Sequence, residues 1–478
     1  MAPDRSPFWR VEPAARMSVI VDAADYFRNA RLAMLRARRR IMLIGWDFDG
    51  RISLTHDGQE PGEPRTLGEF ILWLVNRNPA LEIYLLRWDM GALKTLTRGT
   101  NIVTLARWMW HPRIHTRLDG FHPTGASHHQ KIAVIDDRLA FCGGIDMTVE
   151  RWDTREHRDD DPRRVSPNGR PHKPWHDATT AIDGPVAAAL GELTRDRWHR
   201  AGGRRMEPVG ECPVPWPDGL EPDFRDVEVG IARTRPDMPD CPEVREIEAL
   251  FLAQIAAARR SIYAESQYFA SRRIAEAIAR RLDEPAGPEV VIVNPLTAQG
   301  WLEPIAMDTA RARLVAALKR RDRHGRFRIY HPYTAGGTPI YVHAKVMIVD
   351  GRTLRIGSAN MNNRSLGLDT ECDVVIEPGA GHEAAVRAIR DGLIAEHLGV
   401  PIARVAERID ATGSLIATIE ELRGAGRSLS PYEIEDLSAV EAWLAENEVL
   451  DPERPSEMFE AMSRRGLFRR RLRRPPTP

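Results

Sequence analysis

A histidine, a lysine two residues on and an aspartate five residues beyond that occur twice: His129, Lys131 and Asp136, then His343, Lys345 and Asp350. Seven residues past each aspartate comes a turn of small residues, Gly143-Gly144 in the first copy and Gly357-Ser358 in the second. Only five of the 68 basic residues are lysines, and two of those five hold the same motif position. An imidazole and an ammonium group given twice suit a phosphodiester. The lysines hold charge on non-bridging oxygens, one imidazole attacks phosphorus, and the other protonates the departing alkoxide.

The elements that must position these groups are legible around them. Ile132-Ala133-Val134-Ile135 and Val346-Met347-Ile348-Val349 separate Lys from Asp in the two copies. Short apolar, β-branched runs that end in Asp and a turn read as buried strands. Side chains alternate along a strand, so each His shares a face with its Lys at the strand entrance. Two halves packed about a pseudo-twofold axis would bring two imidazoles and two ammonium groups together. A lone His on a strand is ordinarily a satisfied structural side chain, but packing has no need of the same trio at the same spacing twice.

The repeat extends beyond the motifs. Ala37 to Ile44 leaves a helical pattern and enters a strand, and Ala258 to Glu265 does the same in the second half. Strands follow at Leu81 to Leu86 and Glu289 to Val293, each ahead of its motif. Strand, helix, strand, helix and motif strand, given twice, predict an α/β fold of two pseudo-symmetric domains, with mixed sheets sandwiched by helices and the active site at their interface. The first domain spans residues 1–201 and a linker rich in Gly and Pro spans 202–224. The second domain spans 225–400, and a helical acidic segment with an Arg-rich tail fills 401–478. The stretch Thr154 to Pro174 reads as a long surface loop near the pocket mouth.

Zero formal net charge in 478 residues favours neither nucleic acid nor an anionic bilayer as a partner of the whole molecule. The four cysteines, Cys142, Cys212, Cys241 and Cys372, follow no metal-binding or disulfide spacing. No apolar run is long enough to span a bilayer and no secretory signal is visible, so the expectation is a cytoplasmic protein with at most peripheral membrane contact. Arg464 to Arg474 packs seven arginines around Leu467, Phe468 and Leu472. Two readings stand: contact with an anionic lipid surface, or a solvated tail folded against the acidic segment before it.

With these blocks assembled, the chain resembles the phospholipase D superfamily. The resemblance rests on the doubled motif, on Arg151-Trp152-Asp153-Thr154, on Pro174-Trp175-His176-Asp177, on Ile262 to Phe269 and on Ile356 to Glu371. It is closest in kind to a short eukaryotic-type phospholipase D without lipid-targeting modules. The resemblance implies a phospholipid substrate and a two-step displacement without metal or cofactor, through a phosphohistidine that water or an alcohol resolves. It implies His129 as nucleophile and His343 as general acid, then base. By the same analogy Asp153 would orient His343, Glu371 would orient His129, and Lys131, Lys345, Asn360 and Ser358 would bind phosphate. Asp136 and Asp350 belong to the motif trio, although their place past the apolar run makes a structural role the stronger reading. Asp146, an acid where the second copy has Asn360, is not counted as a ligand.

His122, His128 and His176 read as hydrogen-bonding support, Glu265 and Gln267 as neighbours of the pocket, and Trp108-Met109-Trp110 as core. Competing functions are a cardiolipin-synthase-like phosphatidyltransferase and a nucleic-acid phosphodiesterase. The preferred head group and the oligomeric state are not written in these residues.

Overall fold

The computed structural model describes residues 7–433 apart from 57–61, 90–100, 239, 299–302, 378 and 380. Among the described residues, sixteen strands form one mixed sheet that runs through both halves. At its centre the two long strands Arg10–Val21 and Phe224–Arg235 pair antiparallel, with Arg10 opposite Ile231 and Met17 opposite Phe224. Outward from Arg10–Val21 the order is Ala178–Asp183, Leu139–Gly143, Ile132–Ile135, Arg40–Gly45, Glu82–Trp88 and Ile114–Asp119. Outward from Phe224–Arg235 it is Glu371–Ile376, Thr353–Gly357, Val346–Val349, Ser261–Glu265, Glu289–Val293 and Phe327–Tyr333. Each series is antiparallel as far as the Arg40 or Ser261 strand and parallel beyond it. The expected duplication is therefore a strand-for-strand repeat about an axis between the two central strands.

Period-two alternation builds three apolar layers. Ile41, Leu43, Ala133 and Ile135 face one way and pack under the helices Ala23–Leu35 and Leu67–Arg77. Met42, Ile44, Ile132 and Val134 face the other way, into a core shared with the helices Pro185–Arg200 and Glu383–Leu398. In the second half Met347 and Val349 pack under Glu246–Ala257 and Arg272–Asp283, while Val346 and Ile348 enter the shared core. A strand buried on both faces must be apolar along its whole length, which is what the motif runs are.

Two features close the halves onto each other. Trp175–His176 forms a two-stranded parallel ladder with Tyr341–Val342, and His128 bridges Thr370 in the mirrored position. The small-residue turns permit this closeness. A side chain on Gly143 would collide with Thr179, one on Gly357 with Asp373, and one on Gly144 with the Asp177 carboxylate.

The structure corrects two expectations of organisation. The stretch Thr154 to Pro174 is a surface loop only in part: its second portion, 165–173, is largely exposed, but His157, Asp161 and Arg164 are buried, as is Asp153 just before it. Arg155 and His157 reach Glu396 of the second half at 2.6 and 3.3 Å, because the loop carries charges that find partners only there. Beyond residue 400 the chain stays with the second half. Helices Ile402–Thr412 and Leu415–Leu422 pack on it, and Ser428–Pro431, within the stretch expected to be helical, adds an edge strand to Phe327–Tyr333. The rest of the acidic segment, from residue 434, and the Arg464 to Arg474 tail lie outside the described residues.

Candidate active site

Each motif histidine sits just ahead of its strand and is held by the opposite half. The His129 amide donates to the Thr370 carbonyl at 3.0 Å, and the His343 amide to the His176 carbonyl at 2.7 Å. Each imidazole then meets a carboxylate one residue past that carbonyl. His129 Nδ1 lies 3.0 Å from Glu371 Oε2, and His343 Nδ1 lies 2.6 Å from Asp177 Oδ2. An acceptor at Nδ1 fixes the tautomer that leaves Nε2 with its lone pair.

Glu371 therefore stands where the analogy put it, and Asp153 does not. Asp153 accepts the Trp175 amide at 2.9 Å and faces His157 Nδ1 at 3.0 Å and the Arg164 guanidinium at 3.2 Å, fully engaged away from His343. The residue missed was Asp177. It leads into the buried strand Ala178–Asp183, as Glu371 begins Glu371–Ile376, and this shared place ahead of matching strands is the signal that could have found it. The ladder between Trp175–His176 and Tyr341–Val342 carries the following residue to the imidazole.

The lysines converge on the same place. Lys131 Nζ donates to its own histidine's carbonyl at 2.8 Å and lies 3.2 Å from Asp146 Oδ2, so Asp146 does not turn away but holds the ammonium. Lys345 donates to the His343 carbonyl and to Gln267 Oε1 at 3.3 Å. A third cation was not given a role in the sequence: Arg151, whose guanidinium lies 4.0 Å over the Trp175 ring. That ring is tilted against His343 at 5.1 Å and stacks on Tyr341 at 4.6 Å. Asn360 is buried, and its Oδ1 has no hydrogen-bond partner among the described residues.

Ser358 is corrected. Its hydroxyl donates to Glu371 Oε2 at 2.5 Å and accepts the Cys372 amide at 3.0 Å, which leaves no proton for a phosphate. With Ser365, 2.6 Å from Oε1, it holds the Glu371 carboxyl in place. Asp136 and Asp350 leave the catalytic set on geometry. Each takes a left-handed turn, with φ of 53° and 57°. Asp136 accepts the amides of Arg38, Arg39 and Arg40, and Asp350 those of Arg259, Arg260 and Ser261. They tie each motif strand to its neighbour at the far end.

Of the lesser candidates, His128 bonds Thr370 Oγ1 at 3.0 Å and lies 3.1 Å from Asp119. His122 bonds Trp88 and Asp89. Gln267 links Lys345 to the Tyr341 hydroxyl, while Glu265 turns to His176 and His397. Trp108 is core, but Met109 and Trp110 are 71% and 86% exposed.

Burial sets the protonation chemistry. It drives His129 well below the usual imidazole range, reinforced by Lys131 and Lys345. Burial does the same to His343, reinforced by Lys345, Arg151 and Lys131. Burial pushes Glu371 up to about 8 and Asp177 up to about 6. Lys345 is pushed down to about 7, again chiefly by burial. Lys131, Lys345 and Arg151 face one paired acid, Asp146, while burial opposes ionisation of Glu371 and Asp177, an arrangement that an anionic phosphodiester would complement.

Residues 251–388 match the family model described as cardiolipin synthase, PLD-like domain. Phospholipase D alpha 1 of Carica papaya is 24% identical over 77% of this chain and 63% of its own length. That of Ricinus communis is 25% identical over the same shares, so the chain spans less than two thirds of these relatives. In fold, phosphatidylserine synthase from Haemophilus influenzae Rd KW20 superimposes with a TM-score of 0.58, at 12% identity, over 96% of this chain and 97% of its own.

Proposed function

We propose that this chain, on its likeness to the phospholipase D superfamily, cleaves the head-group phosphodiester of a glycerophospholipid such as phosphatidylcholine. The observation that carries the reading is the crossed pair of dyads, His129 with Glu371 and His343 with Asp177, set among Lys131, Lys345 and Arg151. The His129 Nε2 lone pair attacks phosphorus and forms an N–P bond. The bond from phosphorus to the head-group oxygen breaks, and that oxygen takes the proton from His343. The bound phosphodiester's own charge offsets the lysines, which lets His343 carry that proton, and Asp177 stabilises the imidazolium. In the second step His343 draws a proton from water or an alcohol, whose oxygen displaces His129 and yields phosphatidic acid or an exchanged phospholipid.

Lys131, Lys345, Arg151 and Asn360 hold the non-bridging oxygens throughout. Transfer to an alcohol in place of water is the second reading, and the match to a model described for cardiolipin synthase favours it. The test measures choline and phosphatidic acid released from phosphatidylcholine vesicles with ethanol present and His129→Ala as control. Phosphatidylethanol made by the wild type alone is expected. A folded wild type that yields no product from phosphatidylcholine or mixed-lipid vesicles would overturn the substrate class and turn attention to nucleic-acid phosphodiesters.

A further inference from the structure

Beneath the His343 dyad lies a second group of ionisable side chains that the reaction does not use. Asp22 follows the first central strand, His157 and His176 come from the segment after the first motif, and Glu396 comes from the helix Glu383–Leu398 of the second half. All four are buried. One donor atom from each lies within 4.8 Å of every other. Neighbouring separations are 2.9 Å from His176 Nδ1 to Glu396 Oε1, 3.3 Å from His157 Nε2 to Glu396 Oε1, 3.3 Å from His176 Nδ1 to Asp22 Oδ1 and 3.5 Å from His157 Nε2 to Asp22 Oδ2. Four donors at zinc–ligand distances around one tetrahedral ion are separated by about 3.3 Å.

Hydrogen bonding accounts for only part of these contacts, the His157 Nε2 to Glu396 Oε1 pair at 3.3 Å. His176 Nδ1 and Asp22 Oδ2 lie in the group, yet neither has a hydrogen bond of acceptable geometry among the described residues. The outward nitrogens, in contrast, are well partnered: His157 Nδ1 with Asp153 Oδ2 at 3.0 Å and His176 Nε2 with Glu265 Oε2 at 2.8 Å. An imidazole that bonds a carboxylate on one side and turns its other nitrogen inward is the support a metal-bound histidine needs.

Charge gives a second, independent argument. Asp22, Glu396, Asp153 and Glu265 bring four buried carboxylates. Arg155 offsets Glu396 at 2.6 Å and Arg164 offsets Asp153 at 3.2 Å. Two negative charges remain, which one divalent cation or two imidazolium protons can neutralise. The mixed nitrogen and oxygen donors, without thiolate, fit a zinc-class ion better than calcium or magnesium.

We propose that Asp22, His157, His176 and Glu396 bind one divalent transition-metal cation of the zinc class, which pins the two halves together beside the His343 dyad. Asp22 accepts the Asp177 amide at 3.0 Å, and His176 precedes Asp177, so the ion would fix the backbone that aims this carboxylate. The inference is independent of the proposed reaction, no step of which passes through the cation.

The test uses the full chain, dialysed against micromolar Zn2+ and then metal-free buffer, with metal content read by mass spectrometry. About one equivalent per chain is expected, with a melting temperature lowered by chelation and restored by Zn2+. Co2+ in its place should give the intense visible bands of a tetrahedral site. Those bands should vanish in Asp22→Asn/His157→Gln and persist in His129→Ala. If the double variant does not fold, the wild-type cobalt spectrum and melting shift decide alone. A folded wild type without stoichiometric metal, cobalt bands or melting response would overturn the proposal and leave two protons in the ion's place. Unchanged bands in a folded double variant would overturn it equally.

Discussion

Asp177→Asn tests the assignment that departs most from the sequence reading. The substitution keeps the shape of the side chain and removes its charge. The Asp177 carboxylate lies 2.6 Å from His343 Nδ1, with both groups buried. A hydrogen bond to a charged group contributes about 1.5–3 kcal/mol, on the order of 10- to 150-fold in rate. An amide that turns its NH2 toward Nδ1 would also impose the wrong tautomer, for which losses of roughly 10⁴-fold are known in an analogous dyad. The loss should depend on the leaving group, because His343 is needed to protonate a choline alkoxide and not a p-nitrophenolate. Single-turnover release from phosphatidylcholine and from phosphatidyl-p-nitrophenol would separate the cases: a fall of more than about tenfold, and up to about 10⁴-fold, for choline and of less than about tenfold for p-nitrophenol. Asp153→Asn should show no such split, since its partners are His157, Arg164 and the Trp175 amide. Equal losses of Asp177→Asn on both substrates, or the split appearing in Asp153→Asn, would refute the reasoning.

Three further outcomes are expected. With 32P-labelled substrate, acid-quenched His343→Ala should retain a labelled phosphohistidine that forms and decays slowly, whereas His129→Ala should give none; label in the second and not the first would reverse the two roles. The pH profile of kcat/KM on phosphatidylcholine should fall as pH rises through about 6 and again through about 7, because the Asp177–His343 pair loses its transferable proton above the raised Asp177 value and Lys345 loses its charge above its lowered one. Lys345→Arg should remove the later component, and a profile flat from about pH 6 to about pH 8 would contradict both assignments. Asp136→Ala strips the acceptor from three amides and should cost about 2–4 kcal/mol in denaturant unfolding, while kcat of the folded variant stays near wild type; a collapse of kcat without loss of stability would return this aspartate to the chemistry.

The strands were readable because burial on both faces writes an unbroken apolar run, as in Val346-Met347-Ile348-Val349. Glu371 was placed by the family resemblance and not by pattern, since its strand carries a second acid, Asp373. Asp177 was harder to place: the contact that brings it to His343 is a ladder of two residues per strand, too short to leave a periodicity. Asp153 was the tempting alternative, a buried acid beside a Trp on the same segment, and only the tertiary course of residues 153–164 shows its charge already engaged. Ser358 shows a different limit. Its type and position suit a phosphate ligand, but a hydroxyl has one proton to donate and Glu371 takes it. Trp110 escaped because a helix of Trp, Met and Trp reads as core, whereas Trp108 alone turns inward to bond the Gly68 carbonyl.

The crossing of the dyads has a bearing on descent. Neither half holds a complete set: His129 depends on an acid in the second half and His343 on one in the first. Such an arrangement comes naturally from a half-length ancestor that worked as a symmetric dimer, in which every copy lent its acid to its twin. Within one chain, neither half can lose its acid without disarming the histidine of the other. Aspartate against glutamate, and Asp146 against Asn360, already put the two imidazoles in different fields, so the symmetry of the backbone is not carried through to its charges.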